Sequence, residues 1–321
     1  MTKTHLLISK NLETSEKLAD ELSFFGFISE RIDEQFPVLR VLDQPGLFKF
    51  PWAFSSQILP FCEVIPSETI ANQVKKIKVS KNSRLHVFSL THKYGIYVKG
   101  RAEIVKKELK KNAKIHEGES FVQVLIWPNK SLFVSTLWAS EFEKYKSHLS
   151  PFSGGFVKIS EDKNPPSRAY KKLLEAQKVL EKEIHCGEKV IDLGASPGGW
   201  TYIAKRRGAS VVSVDRSPLR DDLMNSKKVN FIKGDAFKFT EKCDWLISDL
   251  AAYPLRVLEL IDDWIVSKKC RNFVLTIKLQ GKPDFESLKK IKLKMNQQRC
   301  LYFLRSLENN KNEVTLMGTL N

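Results

Sequence analysis

Asp192-Leu193-Gly194-Ala195-Ser196-Pro197-Gly198-Gly199-Trp200 has the residue types of a ligand-binding turn. Val190 to Leu193 is apolar apart from Asp192, which suits an inner strand of a parallel sheet. Gly194, Gly198 and Gly199 let the backbone turn sharply and come close to a ligand. Strand, glycine turn and helix, in that order, form the nucleotide-binding corner of a doubly wound sheet. The spacing fails the dinucleotide fingerprint, and no Gly-Lys-Ser/Thr follows as in a phosphate loop. Asp192 disfavours a phosphate and favours a positively charged ligand. Asp215, Asp235 and Asp249 end or follow the next three strands. An acid after the second strand accepts hydrogen bonds from ribose hydroxyls, Asp235 suits an adenine amino group, and Asp249 lies at the far end of the crevice. Each acid alone is also a common turn residue. Their succession at four strand ends is harder to obtain from turns. Trp200 either walls the pocket or packs in the core.

These residues need a regular frame, and the second half of the chain supplies one. Strands are predicted at 189–193, 210–215, 229–232, 245–249 and 273–278, with helices at 200–207, 219–226, 255–266 and 285–298. A further helix opens near Ser167. Two strands, 301–306 and 313–317, close the chain as a hairpin. The antiparallel last strand distinguishes this pattern from a dehydrogenase. The stretch 151–166, rich in Pro, Gly and Ser, reads as a linker. Before it, strands are expected at 4–9, 37–42, 47–50, 84–90, 96–98, 121–127 and 132–137. Helices are expected at 12–25, capped by Thr14 or Ser15, from Ser67 onward, and at 102–114 with five lysines (Lys106, Lys107, Lys110, Lys111, Lys114). The predicted division is a small α+β subdomain at 1–64, a second α+β domain at 65–150, the linker, and an α/β domain at 167–321.

The chain has 53 Lys+Arg against 37 Asp+Glu, a net charge of +16. That excess favours a polyanionic partner. Residues 1–50 stand apart, with 6 basic and 8 acidic groups, against 16 and 8 over 51–150. The lysine-rich helices are either solvated faces or phosphate-binding faces. The five cysteines, Cys62, Cys186, Cys243, Cys270 and Cys300, are odd in number and in no metal spacing, so reduced, mostly buried thiols of a cytoplasmic protein are expected, with no metal. No apolar run approaches the ~20 residues needed to cross a bilayer, so no membrane partner is expected.

Asp-x-Gly-x-x-x-Gly at a strand end is similar to motif I of class I S-adenosylmethionine methyltransferases. Ser167-Arg168-Ala169-Tyr170-Lys171-Lys172-Leu173, Asp192 to Trp200, Ser248-Asp249-Leu250, Thr276-Ile277-Lys278 and Asn312-Glu313-Val314 together resemble the motifs of FtsJ-type RNA 2′-O-ribose methyltransferases. The resemblance is specific over 165–321 and weak over 1–150. It implies a Rossmann-like seven-stranded sheet, and an N-terminal RNA-binding half that is ferredoxin-like plus THUMP-like. It implies S-adenosyl-L-methionine as cofactor, held by Asp192, Gly194, Ser196, Pro197, Gly198, Gly199, Trp200, Asp215, Asp235 and Asp249. It places the family's Lys-Asp-Lys-Glu tetrad on Lys172, Asp249, Lys278 and Glu313. One departure is Ala169, where similar members tend to carry a cofactor-contacting serine.

The chemistry fits those residue types. A ribose hydroxyl attacking a sulfonium methyl must lose its proton, which a base with a pKa near the operating pH does best. Free lysine titrates near ~10.4. Desolvation and a nearby cation lower that value, so Lys278, emerging from an apolar strand and facing Lys172, is the expected base. Base methylation fits less well. Ser248-Asp249-Leu250 is not an Asn/Asp-Pro-Pro-Tyr run, and Cys243 lies at the wrong end of its strand for a pyrimidine carbon nucleophile. The expectation is 2′-O-methylation of large-subunit ribosomal RNA, at a cytidine, by a monomer or weak oligomer. The rivals are a catalytically silent RNA-binding or assembly factor and a small-molecule methyltransferase.

Overall fold

The computed structural model describes all residues except 1–2, 91–95, 114–117, 251, 280, 299 and 321, and only the backbone of 96–99. The chain divides into two compact units, Met1–Phe156 and Val157–Asn321. The division falls inside the stretch read as a linker.

The first unit opens with β1 (Thr4–Ile8), α1 (Leu12–Phe24), β2 (Ser29–Arg31), β3 (Val38–Leu42) and β4 (Gln57–Leu59), forming a sheet of order β2-β3-β1-β4. Helix α1 buries Leu18 and Leu22. Its cap is Asn11, whose side chain accepts from the Thr14 N–H at 2.8 Å, and not the expected Thr14 or Ser15, which lie buried within the helix. An Asn one residue before the helix does this better than a hydroxyl inside it. The second sheet follows: β5 (Glu63–Ile65), α2 (Ile70–Lys75), β6 (Arg84–Ser89), α3 (Ile96–Asn112), β7 (Ser120–Ile126), β8 (Leu132–Trp138) and α4 (Ala139–Tyr145), in strand order β5-β8-β7-β6. One face packs on α2 and α3 through Val74, Val105, Leu109, Val122 and Val124. The other shares a core with the first sheet, Leu6, Ile8, Leu125, Trp127 and Phe133, so packing crosses the boundary expected near residue 64.

Two predicted strands are absent from this unit. Residues 47–50 form turns, and 96–98 are the first turn of α3. Both were short apolar runs, which strands and buried turns share. Helix α3 buries Ala102, Val105 and Leu109 and exposes Lys107, Lys110 and Lys111. Lys114 lies outside the described residues.

The second unit runs α5 (Tyr170–Leu180), β9 (Lys189–Leu193), α6 (Gly199–Arg206), β10 (Ser210–Asp215), α7 (Asp221–Met224), β11 (Val229–Lys233), β12 (Trp245–Ser248), α8 (Pro254–Leu260), β13 (Asn272–Lys278), α9 (Phe285–Asn296), β14 (Cys300–Arg305) and β15 (Glu313–Leu320). Its seven strands are ordered β11-β10-β9-β12-β13-β15-β14. Strands β9 to β13 pair in parallel, and β15 enters antiparallel between β13 and β14. This is the α/β sheet with a closing hairpin anticipated from the sequence. The helix predicted at 219–226 is only Asp221–Met224, and that at 255–266 continues from α8 as a wider π-turn over Ile261–Val266. Of the cysteines only Cys62 and Cys270 are buried, while Cys186 is exposed, so the expected burial fails for three of the five.

Because β9 and β12 lie at the centre of the sheet, their carboxyl ends, Asp192-Leu193 and Ser248, meet across one register line, Ile247 opposite Asp192 and Ser248 opposite Leu193. The Ser248 hydroxyl donates to the Leu193 carbonyl at 3.0 Å, fastening the two ends together. At the other side β15 packs so tightly that a Cβ at Gly318 would meet Phe273 at 2.4 Å and the Leu301 carbonyl at 2.7 Å. Gly318→Ala is therefore expected to destabilise the chain by ~1–3 kcal/mol, read by denaturant unfolding. An unchanged midpoint would show that β15 does not depend on that approach.

Candidate active site

The glycine turn leaves the carboxyl end of β9 and enters α6. Gly194 has φ +75, and a Cβ there would sit 2.3 Å from Leu250; Gly198, at φ +109, would strike Leu223 at 2.3 Å. A side chain at either position would be both strained and obstructed. A cavity of about 240 Å³ opens over this turn, lined by Ser167, Ala169, Asp192, Gly194, Ala195, Ser196, Pro197, Gly199, Trp200 and Asp249. Seven of the ten expected cofactor residues thus share one cavity. Gly198, Asp215 and Asp235 are not in its lining. Gly198 shapes the turn. Asp215 accepts from the Ser196 N–H at 3.0 Å and the Ser217 N–H at 2.9 Å, so it braces the loop from behind. Asp235 accepts from the Phe237 N–H at 3.1 Å and from Arg216 at 3.2 Å.

Trp200 does both things the sequence left open. It is 2% exposed, it lines the cavity, and its indole N–H donates to the Ala169 carbonyl at 2.7 Å. Asp192 is buried at 1% exposure and accepts a hydrogen bond from the Thr201 hydroxyl at 2.6 Å. Thr201 in turn meets Ser213 at 2.8 Å. Burial pushes the Asp192 carboxyl up to about 7, against the pull of Thr201 and with a push from Asp249 and Asp215. Thr201 and Ser213 were not singled out from the sequence. Hydroxyls at a buried helix turn and a buried strand position carry too little pattern to stand out.

At one end of the cavity is a charged cluster. Lys172, in the first turn of α5, places its ammonium 2.9 Å and 3.2 Å from the two Asp249 oxygens and 2.6 Å from Glu313. The three side chains are only 13%, 19% and 15% exposed. Burial alone would lower the Lys172 pKa, but Asp249 and Glu313 outweigh it and raise the value. Burial raises Asp249 as well, and Lys172 opposes that. Lys278 ends β13 directly opposite Glu313 in the ladder. Three of the four expected tetrad residues therefore meet through their side chains, and strand register sets the fourth, Lys278, beside Glu313. The expectation for Lys278 needs correction in two respects. Residues 272–277 are buried but the Lys278 side chain is exposed, because the strand leaves the core there. The Lys172 charge is also answered by two carboxylates, so it does not confront Lys278 as a bare cation. Among the described residues no ion pair engages Lys278.

Among the described residues, no group of three or more His, Cys, Asp or Glu is arranged to hold a metal, and no helix is long and apolar enough to cross a membrane.

The Asp192 shift has a measurable consequence. Its folded value of about 7 lies above the unfolded ~3.9, so its contribution to stability is present when it is protonated and is lost as pH rises. Between about pH 5 and 7 the wild type should lose on the order of 1 kcal/mol per pH unit relative to Asp192→Asn. Denaturant unfolding of both proteins at the two pH values checks this; parallel pH dependences would contradict it.

The family model of FtsJ-like methyltransferases matches residues 165–312. The chain is similar to the ribosomal RNA large subunit methyltransferase M of Idiomarina loihiensis, 36% identical over 167 residues, which are 49% of this chain and 45% of that protein. It is similar to the protein of that name from Pseudoalteromonas translucida, 30% identical over 231 residues, 67% of this chain and 60% of that protein. A third, from Thauera aminoaromatica, is 25% identical over 335 residues, 95% of this chain and 91% of that protein. The matches to the first two thus span only 45% and 60% of those relatives' length. The matched span contains Lys172, the glycine turn, Asp249 and Lys278 and stops one residue short of Glu313. Residues 165–312 are thus similar to an FtsJ-like methyltransferase domain.

Proposed function

We propose that the chain transfers a methyl group from S-adenosyl-L-methionine to a ribose 2′-hydroxyl of large-subunit ribosomal RNA, with a cytidine of the peptidyl-transferase region as acceptor. One observation carries the reading. Lys172 is clamped between Asp249 and Glu313, with Lys278 beside Glu313, where the glycine-walled cavity ends at Asp249. The names of the relatives support ribosomal RNA as substrate.

The cavity suits the cofactor. Gly194 and Gly199 line it where a Cβ would collide with Leu250 and Ser167, so bare backbone faces the cavity, and buried Asp192 gains from a cationic neighbour that stabilises its ionised form. Asp215 and Asp235 are assigned to the ribose and adenine of the cofactor. When bound, S-adenosylmethionine supplies an electrophilic methyl group and a positive sulfonium.

The two lysines divide the work. Lys172 is held protonated by its carboxylates, which suits a donor to the attacking oxygen and disqualifies it as base. Lys278 is assigned the base. It stands at the exposed end of β13 beside Glu313, open to an incoming RNA strand. Lys278 then accepts the 2′-hydroxyl proton as the oxygen attacks. Asp249 and Glu313 keep Lys172 in place, and fixing the hydroxyl in line contributes several kcal/mol of the rate. A 2′-hydroxyl exists in RNA and not in DNA, so the acceptor group itself sets that selectivity.

The first unit is assigned to RNA binding, as a ferredoxin-like and THUMP-like half. The exposed Lys75, Lys76 and Lys78 around α2 and Lys107, Lys110 and Lys111 on α3 face solvent and suit phosphates.

Lys278→Ala should lower the methyl-transfer rate by ~10²–10⁴-fold, the range for a general base, with cofactor Kd unchanged. Full activity would refute the assignment of the base. Ala169→Ser should tighten cofactor binding by ~2–10-fold, one neutral hydrogen bond, measured by calorimetry. Unchanged affinity would show that position 169 does not reach the cofactor.

A further inference from the structure

We propose that Glu175 is a positioning residue, whose buried carboxylate holds the turn between β14 and β15 against α5 and so fixes Glu313 beside Lys172. The inference rests on the methyltransferase reading above.

Glu175 follows Lys172 by one helical turn on α5 but points inward, 2% exposed, between buried Leu173 and Ala176. Packing alone would favour an apolar residue there, because a buried carboxylate is costly unless fully hydrogen-bonded. Its bonding is extensive. Oε1 accepts from the Glu308 backbone N–H at 2.8 Å. Oε2 accepts from the Asn309 backbone N–H at 3.3 Å and the Asn309 side-chain amide at 2.9 Å. All three donors belong to the turn that delivers Glu313. The far side of that turn is tied to the end of β13. The Asn312 amide donates to the Leu279 carbonyl at 2.7 Å, and the Leu279 N–H to the Asn312 carbonyl at 3.0 Å. Glu313 comes next, opposite Lys278.

The turn therefore has two anchors. Asn312 sets Glu313 against the strand that carries Lys278. Glu175 sets it against the helix that carries Lys172. An ion pair at 2.6 Å between groups on separate elements needs such a tie, since a displacement of about 1 Å can cost ~10²-fold in rate. The donor on one side of the pair and the brace for the acceptor are then carried by the same helix, three residues apart.

The test uses Glu175→Ala and Glu175→Gln in the full chain. For Ala, kcat for methyl transfer should fall tenfold or more, with the RNA KM and cofactor Kd within twofold. Gln keeps the shape and one acceptor, so it should fall between Ala and wild type. In a Glu313→Gln background, Glu175→Ala should cost less than threefold further, because its effect passes through Glu313. Equal losses in both backgrounds would overturn the proposal and leave a structural role only. A crystal structure of the Ala variant, or of Gln should Ala not fold, should show Lys172 and Glu313 parted beyond 4 Å with the Asp249 contact kept. An intact pair would overturn the proposal independently of turnover. A wild type without turnover would instead refute the methyltransferase reading, and the crystallographic comparison would still decide this one.

Discussion

The ammonium of Lys172, shared between Asp249 and Glu313, is the contact on which the site depends. It joins three elements distant in sequence: the first turn of α5, the end of β12 and the start of β15. The Lys172 ammonium and its two carboxylates are only 13–19% exposed. Such a cluster is a poor source of stability, since desolvation takes back much of the Coulomb attraction. Its value is directional. The three groups tie the helix to the ends of two strands already set by their ladders.

The rest of the unit supports that geometry from two sides. Toward the glycine-turn cavity, Gly194 and Gly198 bring the backbone close to Leu250 and Leu223, and Asp192 accepts from Thr201, which in turn meets Ser213. On the other side, the antiparallel insertion of β15 puts Glu313 opposite Lys278, which a parallel last strand would not do. The hairpin that separates this sheet from a dehydrogenase sheet is therefore also what completes the charged cluster.

Much of this was legible in the amino-acid sequence because its signals are periodic or sterically demanded. The β/α alternation, the glycine turn and the acids at strand ends mark the sheet and its crevice. Motif resemblance located Lys172, Asp249, Lys278 and Glu313, which the structure brings together. What was not legible depends on depth. An apolar run ending in lysine shows that the lysine emerges from the core but not how much water it meets, and Lys278 is exposed directly after buried Ile277. Asp215 and Asp235 stand at strand ends as expected, but the sequence does not show that their oxygens also accept from backbone turns and Arg216. Residues 47–50 and 96–98 are apolar enough for strands and lack the length that separates strand from turn or helix. Glu175 did leave a trace, an acid on the apolar stripe of α5, but its partners lie more than 130 residues away in the chain.

The central claim is that this charged cluster directs a methyl group to a ribose oxygen and not to a base. The most direct measurement is nucleoside analysis of ribosomal RNA, taken from cells lacking the gene and incubated with the purified protein and isotopically labelled S-adenosylmethionine. The account predicts label in 2′-O-methylcytidine from large-subunit RNA. Label in a base-methylated nucleoside would contradict it.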